Sequence, residues 1–178
     1  MRPRSIDPAD WSAVLEMNEA AVELVSRLDS LSLDWLVKHA HRTIAVEADG
    51  QVVAFTLALP AGTAYRSPNY RWFAERYARF SYLDRVVAAE SWRRRGVATL
   101  VYDEMEASAV VFGRMLCEVD LEPANLPSLG FHFARGYQEV GQLASASGKT
   151  LLMLAKEFQT SAAADGRRSI ASARRRKI

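Results

Sequence analysis

Apolar residues recur at helical spacing at Trp11, Val14, Leu15, Ala21, Val22 and Val25, which predicts an amphipathic helix near the start of the chain. Asp7 suits its N-cap, Pro8 its first helical position, and Asp10 falls in the first turn. Before it, Arg4-Ser5-Ile6 reads as a short first strand. Ser32 can cap a second helix carrying Leu33, Leu36, Val37 and Ala40. The period then changes from 3.6 to 2. Residues 43–47 and 51–59 read as two strands joined by a hairpin signal at Ala48-Asp49-Gly50, and Pro60 and Gly62 end the second.

The segment 64–73 is dense in aromatics and arginine. Trp72, Phe73, Tyr77 and Phe80 lie at near-helical spacing, so packing on the core competes with a lid over a ligand. In the strand 80–89, Tyr82, Asp84, Val86 and Ala88 share one face, and Ser81, Leu83, Arg85 and Val87 the other. On that alternation Arg85 cannot pair with Asp84. A carboxylate in mid-strand is costly unless it is paired or functional, which singles out Asp84. A helix over 99–111, a strand over 116–121 and a helix over 128–135 ended by Gly136 follow. Strands over 137–141 and 150–155 close the pattern. Asn18 falls on the first apolar stripe, where an amide is either a satisfied core group or a ligand contact.

The formal net charge of +2 hides an asymmetry. Residues 1–160 hold 17 Lys/Arg against 20 Asp/Glu, whereas residues 161–178 hold 6 against 1. The body is mildly acidic, and the basicity belongs to an Ala/Ser/Arg/Lys tail without apolar periodicity. We expect one domain over 1–158 and a disordered basic tail over 159–178, with weak tail contact to nucleic acid less favoured than plain solvation. Cys117 is the single cysteine, and Cys and His are too few and scattered for a metal cluster. An apolar leader and membrane spans are lacking, so the expectation is a soluble, cytoplasmic protein.

Against this background one loop carries chemistry: Arg93-Arg94-Arg95-Gly96-Val97-Ala98, between an apolar strand and a helix. Unpaired N–H groups and the positive end of the helix dipole favour an anion, and Gly96 lets the backbone approach it closely. Three arginines add charge-assisted contacts to phosphate oxygens. Taken alone, RxxGxA is also compatible with a solvated basic turn. It is neither a P-loop nor a GxGxxG fingerprint.

A second segment changes the weighting. Asn125-Leu-Pro-Ser128-Leu-Gly-Phe131-His132-Phe-Ala-Arg-Gly136-Tyr137 resembles the N-x-x-S/A-x-x-L-Y-x-x-x-G-F element of the GNAT (GCN5-related N-acetyltransferase) superfamily. Arg93-x-x-Gly96-x-Ala98 is similar to that superfamily's Q/R-x-x-G-x-G/A loop. The resemblance covers about residues 4–158. Ser67-Pro68-Asn69-Tyr70-Arg71-Trp72-Phe73 further resembles a little-characterised bacterial branch, which brings no substrate with it. The resemblance implies an α/β (α+β) fold with a mixed, mostly antiparallel sheet of about six to seven strands and four to five helices.

It also implies an acetyl-CoA-dependent N-acetyltransferase acting directly on a primary amine of a small or amino-acid-like molecule. A non-catalytic acyl-CoA-binding module on the same fold is the alternative, and homodimerisation is left open. On this resemblance Val86, Val87 and Ala88 would pair with the pantetheine arm, with a backbone N–H at Val87 or Ala88 polarising the thioester. Amides of Arg94, Arg95, Gly96, Val97, Ala98 and Thr99 would cradle the pyrophosphate beside Arg93, and Asn125 and Ser128 would contact the pantetheine. His132 stands where the family has its thiolate-protonating tyrosine, and Glu90 where a proline is common. Asp84, with Tyr82 on its strand face, is the candidate base, its alternative role being an ion pair with an arginine such as Arg71. Asn18, Asn69, Tyr70 and Arg71 would line the acceptor pocket.

Overall fold

The computed structural model describes residues 1–159, so the expected basic tail lies, from residue 160 on, outside the described residues. The elements in chain order are β1 (Arg2–Arg4), α1 (Trp11–Ala20), α2 (Ser30–His39), β2 (Arg42–Ala48), β3 (Gln51–Pro60), α3 (Pro68–Ala74) and β4 (Ser81–Ala88). Then come α4 (Val97–Ala109), β5 (Arg114–Glu122), α5 (Leu126–Ala134), β6 (Gln138–Ala144) and β7 (Thr150–Glu157). The strands form one sheet in the order β1-β2-β3-β4-β5-β7-β6. Neighbours are antiparallel except β4 and β5, which run parallel. No helix among the described residues is long and apolar enough to cross a membrane.

The local signals act largely as read, with shifted boundaries. Asp7 caps a 3₁₀ turn, Pro8–Asp10, that leads into α1. Asp29, not Ser32, caps α2: its carboxylate accepts from the Ser32 N–H at 2.7 Å. Helix α1 stops at Ala20, so Val22 and Val25 lie beyond it, and α4 begins at Val97, before the periodic stripe.

Each face of the sheet is covered by different helices. Val97, Val101 and Met105 of α4 and Leu129 of α5 pack against Leu83, Met115, Cys117 and Val119 on one face. Opposite, Leu36 of α2 and Tyr70 and Phe73 of α3 pack on Leu57, Tyr82 and Leu116, while Val14 of α1 packs on Phe55 and Val87. Tyr70, Phe73, Phe80 and Tyr82 are almost fully buried, each contributing roughly 2–3 kcal/mol relative to exposure. The aromatic segment is therefore a helix docked on the core. The Trp72 indole closes over Gly141, where a Cβ would sit 2.7 Å from the ring.

Two irregularities in β4 create the site. Leu57 of β3 opposes Arg85 and Ala58 opposes Leu83, so Asp84 is an extra, bulged residue. The bulge resets the alternation expected above: Tyr82, on the α3 side, is followed across the bulge by Val87 on the same side, with Val86 and Ala88 toward α4. Second, β4 pairs with β5 only at Ser81↔Met115 and Tyr82↔Leu116. Beyond Tyr82 the two parallel strands part and leave a cleft through the sheet.

Candidate active site

A cavity of about 360 Å³ fills this cleft. Of the residues singled out in the sequence, Asn69, Tyr82, Asp84, Val86, Asn125, Ser128 and His132 line it. Three further lining residues matter: Arg85, Tyr102 and Glu118.

Glu118 lies on β5 two residues past the last pairing with β4. Its Oε1 accepts from Asn69 Nδ2 at 2.6 Å and from the Tyr82 hydroxyl at 2.9 Å. Oε2 is shielded from solvent and has no hydrogen-bond partner. Burial pushes the carboxyl up to about 7, although the Asn69 and Tyr82 hydrogen bonds pull the other way. A carboxyl half-ionised at neutral pH, with one oxygen uncommitted, has the properties of a general base. Sequence reasoning passed over Glu118. The available signal was a lone carboxylate inside the apolar run Met115-Leu116-Cys117-Glu118-Val119.

Asp84 is placed differently from expectation. The bulge turns Arg85 to the same side, and its Nε donates to Asp84 Oδ2 at 2.7 Å, with both side chains almost wholly buried. The pairing excluded by simple alternation is thus formed, and the partner is Arg85 rather than Arg71. Arg85 also donates to Asn18 Oδ1 at 2.7 Å, to the Ser26 carbonyl at 3.1 Å and to Ser26 Oγ at 3.0 Å. Asn18 Nδ2 donates to the same Ser26 carbonyl at 3.0 Å. Fully satisfied, this network ties α1 and the connection between α1 and α2 to the bulge. Tyr65 borders it, its phenol pushed up by burial and by the Asp84 charge.

On the opposite face, His132 has both ring nitrogens engaged. Nδ1 lies 2.7 Å from the Ser128 carbonyl, which only accepts, so Nδ1 carries the proton. Nε2 then accepts from the Tyr102 hydroxyl of α4 at 2.7 Å. Burial pulls the imidazole down, which keeps this neutral tautomer near pH 7. Asn125 caps α5 through Oδ1 on the Ser128 N–H at 3.2 Å, leaving its amide N–H₂ for other partners. Cys117 is buried and its thiol is pushed far up, chiefly by desolvation, so it is inert as a nucleophile.

At the far end of β4, Gly96 adopts φ 81° and starts α4 with no side-chain cap. Arg94 also has positive φ, at 59°. Val97 is buried, while Arg93, Arg94, Arg95, Gly96, Ala98 and Thr99 are exposed around the uncapped helix start. Along the strand between, Ala89 N–H donates to the Val53 carbonyl. Alternation then turns the backbone of Val87 toward β3 and leaves that of Val86 and Ala88 on the open edge. Tyr70 is placed in the core: its hydroxyl donates to the Pro60 carbonyl at 2.8 Å and accepts from Thr63 N–H at 2.9 Å. Arg71 is exposed and outside the cavity lining.

Comparison with solved structures identifies the fold. A ribosomal-protein-alanine N-acetyltransferase from Brucella melitensis superposes with a TM-score of 0.65 at 21% identity, over 89% of this chain and 100% of that one. Arabidopsis thaliana NAA60, solved with a bisubstrate analogue, gives 0.69 at 15% identity over 90% and 99%. The putative acetyltransferase yncA from Salmonella typhimurium, solved with its cofactor acetyl-CoA, gives 0.65 at 15% over 89% and 94%. At these identities the likeness establishes a common fold. No curated protein matches the chain in sequence. The family model described as the acetyltransferase (GNAT) family matches residues 11–137, most of the chain and both walls of the cleft, and the chain therefore belongs to that family.

Proposed function

We propose that this acetyltransferase passes the acetyl group of acetyl-CoA directly to the primary amine of a small, amino-acid-like acceptor. One observation carries the reading: the parting of β4 from β5 opens a single cavity lined by an uncommitted carboxylate on one face of the sheet and a Tyr–His pair on the other. The residues suit the donor. Exposed arginines and the uncapped start of α4 fit a diphosphate, and the open edge at Val86 and Ala88 fits the amides of a pantetheine arm. Asn125 keeps its amide N–H₂ for the same arm.

Acetyl-CoA supplies, when bound, a thioester carbonyl as electrophile and a thiolate as leaving group. The work of this chain is to prepare the amine and steady the departing charge. A primary amine with a pKa near 10.4 arrives protonated. Glu118 Oε2, with its carboxyl near 7, takes the excess proton directly or through water, while Tyr82 and Asn69 hold Oε1 in place. The Ala88 N–H, or that of Val86, polarises the thioester oxygen. The Tyr102 hydroxyl, turning off His132 Nε2, donates a hydrogen bond to the leaving sulfur. Burial holds its own proton too tightly for outright transfer, so the thiolate takes the second proton that the amine nitrogen sheds as the amide forms. In this reading Asp84 is architectural and His132 acts through Tyr102.

The test is calorimetric titration with acetyl-CoA, followed by thiol release with a panel of primary amines. Binding with amine-dependent thiol release supports the reading. Binding without release from any amine would identify a non-catalytic acyl-CoA module.

A further inference from the structure

A second cavity, about 610 Å³, opens off the first and shares Ser26, Tyr65 and Arg85 with it. It lies on the α1–α3 side of the sheet, the side from which Glu118 is reached. Its wall is an aromatic shelf. Trp35 stacks on His39 with centroids 4.1 Å apart at 18° and on Tyr65 at 5.7 Å and 22°. At the rims stand two strongly exposed leucines, Leu31 at 81% on this cavity and Leu24 at 57% on the cleft.

Charge runs in one direction along this path. The cleft end holds the carboxylates Asp84, Glu118 and Asp120. Arg85 pairs with Asp84 and Lys149 with Asp120 at 2.7 Å each, which leaves Glu118 in no ion pair among the described residues. No Asp or Glu lines the outer cavity. Asp29 beside it is committed to the α2 cap and Asp34 to Lys38. Its cations are Arg27, Arg66 and Arg85. Glu19 holds Arg27 at 2.9 Å and Asp84 holds Arg85, whereas Arg66 is exposed and in no ion pair among the described residues. Such a field draws an ammonium to the inner end and an anion to the outer one, and it repels a second cation.

Resting on the N-acetyltransferase reading, we infer that the acceptor is an aromatic primary amine carrying an anionic group, its ring on the Trp35–Tyr65 shelf and its anion at Arg66. Polyamines and other polycationic amines are excluded.

The experiment compares 4-(aminomethyl)benzoate, phenylalanine, benzylamine, alanine and spermidine as acceptors at saturating acetyl-CoA. The benzoate is expected to exceed benzylamine, alanine and phenylalanine at least tenfold in kcat/KM, with spermidine inert. The carboxylate of phenylalanine sits on the carbon bearing the amine and so falls at the acidic inner end. Arg66→Glu, a surface change that leaves the fold intact, should raise KM for the anionic acceptor about tenfold while sparing kcat, KM for acetyl-CoA and KM for benzylamine. Preference for spermidine, or an unchanged KM in both Arg66→Glu and Trp35→Ala, overturns the inference while leaving acetyl transfer standing. If no amine is turned over, titration of 4-(aminomethyl)benzoate into wild type and Arg66→Glu decides. Binding lost in the variant upholds the site, and no binding to either protein overturns it.

Discussion

The Tyr82 hydroxyl donates to Glu118 Oε1 at 2.9 Å across the last pairing between β4 and β5, and Oε2 of the same carboxylate stays unpartnered. Such a carboxylate costs stability once ionised. Its pKa is raised in the fold to about 7, so its favourable contribution is complete below the unfolded value and is lost as pH rises through 7. Glu118→Gln keeps an oxygen for Tyr82 and Asn69 without the charge. We expect it to be more stable than wild type at pH 8, by an amount on the order of 3 kcal/mol at most, and equal to it at pH 4. Thermal unfolding at both pH values measures this.

Asp84 calls for the opposite outcome. Truncating it leaves the Arg85 guanidinium buried without its counter-charge. Asp84→Ala should cost about 3–5 kcal/mol, lowering Tm by on the order of 10 °C. The double variant Asp84→Ala/Arg85→Met should lose less than the two single losses combined. Denaturant unfolding of the three variants gives the coupling.

For Tyr102→Phe, kcat should fall roughly tenfold, with KM for both substrates held within twofold, because the hydroxyl is used only as sulfur departs. Stability should also fall by about 1–3 kcal/mol, since His132 Nε2 loses its buried donor. Steady-state kinetics at a temperature where the variant is folded separates the two effects.

At Gly96 the backbone alone sets the outcome. An added Cβ meets nothing within 4 Å, yet φ is 81°. Gly96→Val should therefore cost about 1–2 kcal/mol through strain and raise KM for acetyl-CoA several-fold, with kcat little changed. Titration with acetyl-CoA checks it.

What the chain announced in advance was local. Arg93 to Gly96 was legible because a left-handed glycine, adjoining cations and a helix start are consecutive in sequence. Gly136 as a helix terminator was legible for the same reason, whereas the capping of α5 by Asn125 was found only in the structure. The Asp84–Arg85 pair was not, because a bulge is fixed by register against Leu57 and Ala58, and a period-two reading carries no trace of it. Tyr102 sat unnoticed on the apolar stripe of α4, where its ring is core and only its hydroxyl reaches His132. Glu118 could have been found by the reasoning applied to Asp84. Its partners, Asn69 and Tyr82, come from elements 49 and 36 residues away, which only the folded chain brings together.

The pH dependence of acetyl transfer in wild type and Glu118→Gln, at saturating acetyl-CoA, bears most heavily on how the cleft works. Wild-type kcat/KM for the amine should fall tenfold per pH unit below about 7, as the base protonates. Glu118→Gln should lose 10²- to 10³-fold in kcat at pH 8 and show no break near 7, while binding acetyl-CoA as wild type does. A variant that keeps wild-type turnover and the same break near pH 7 would place the base elsewhere and contradict the proton path through Glu118.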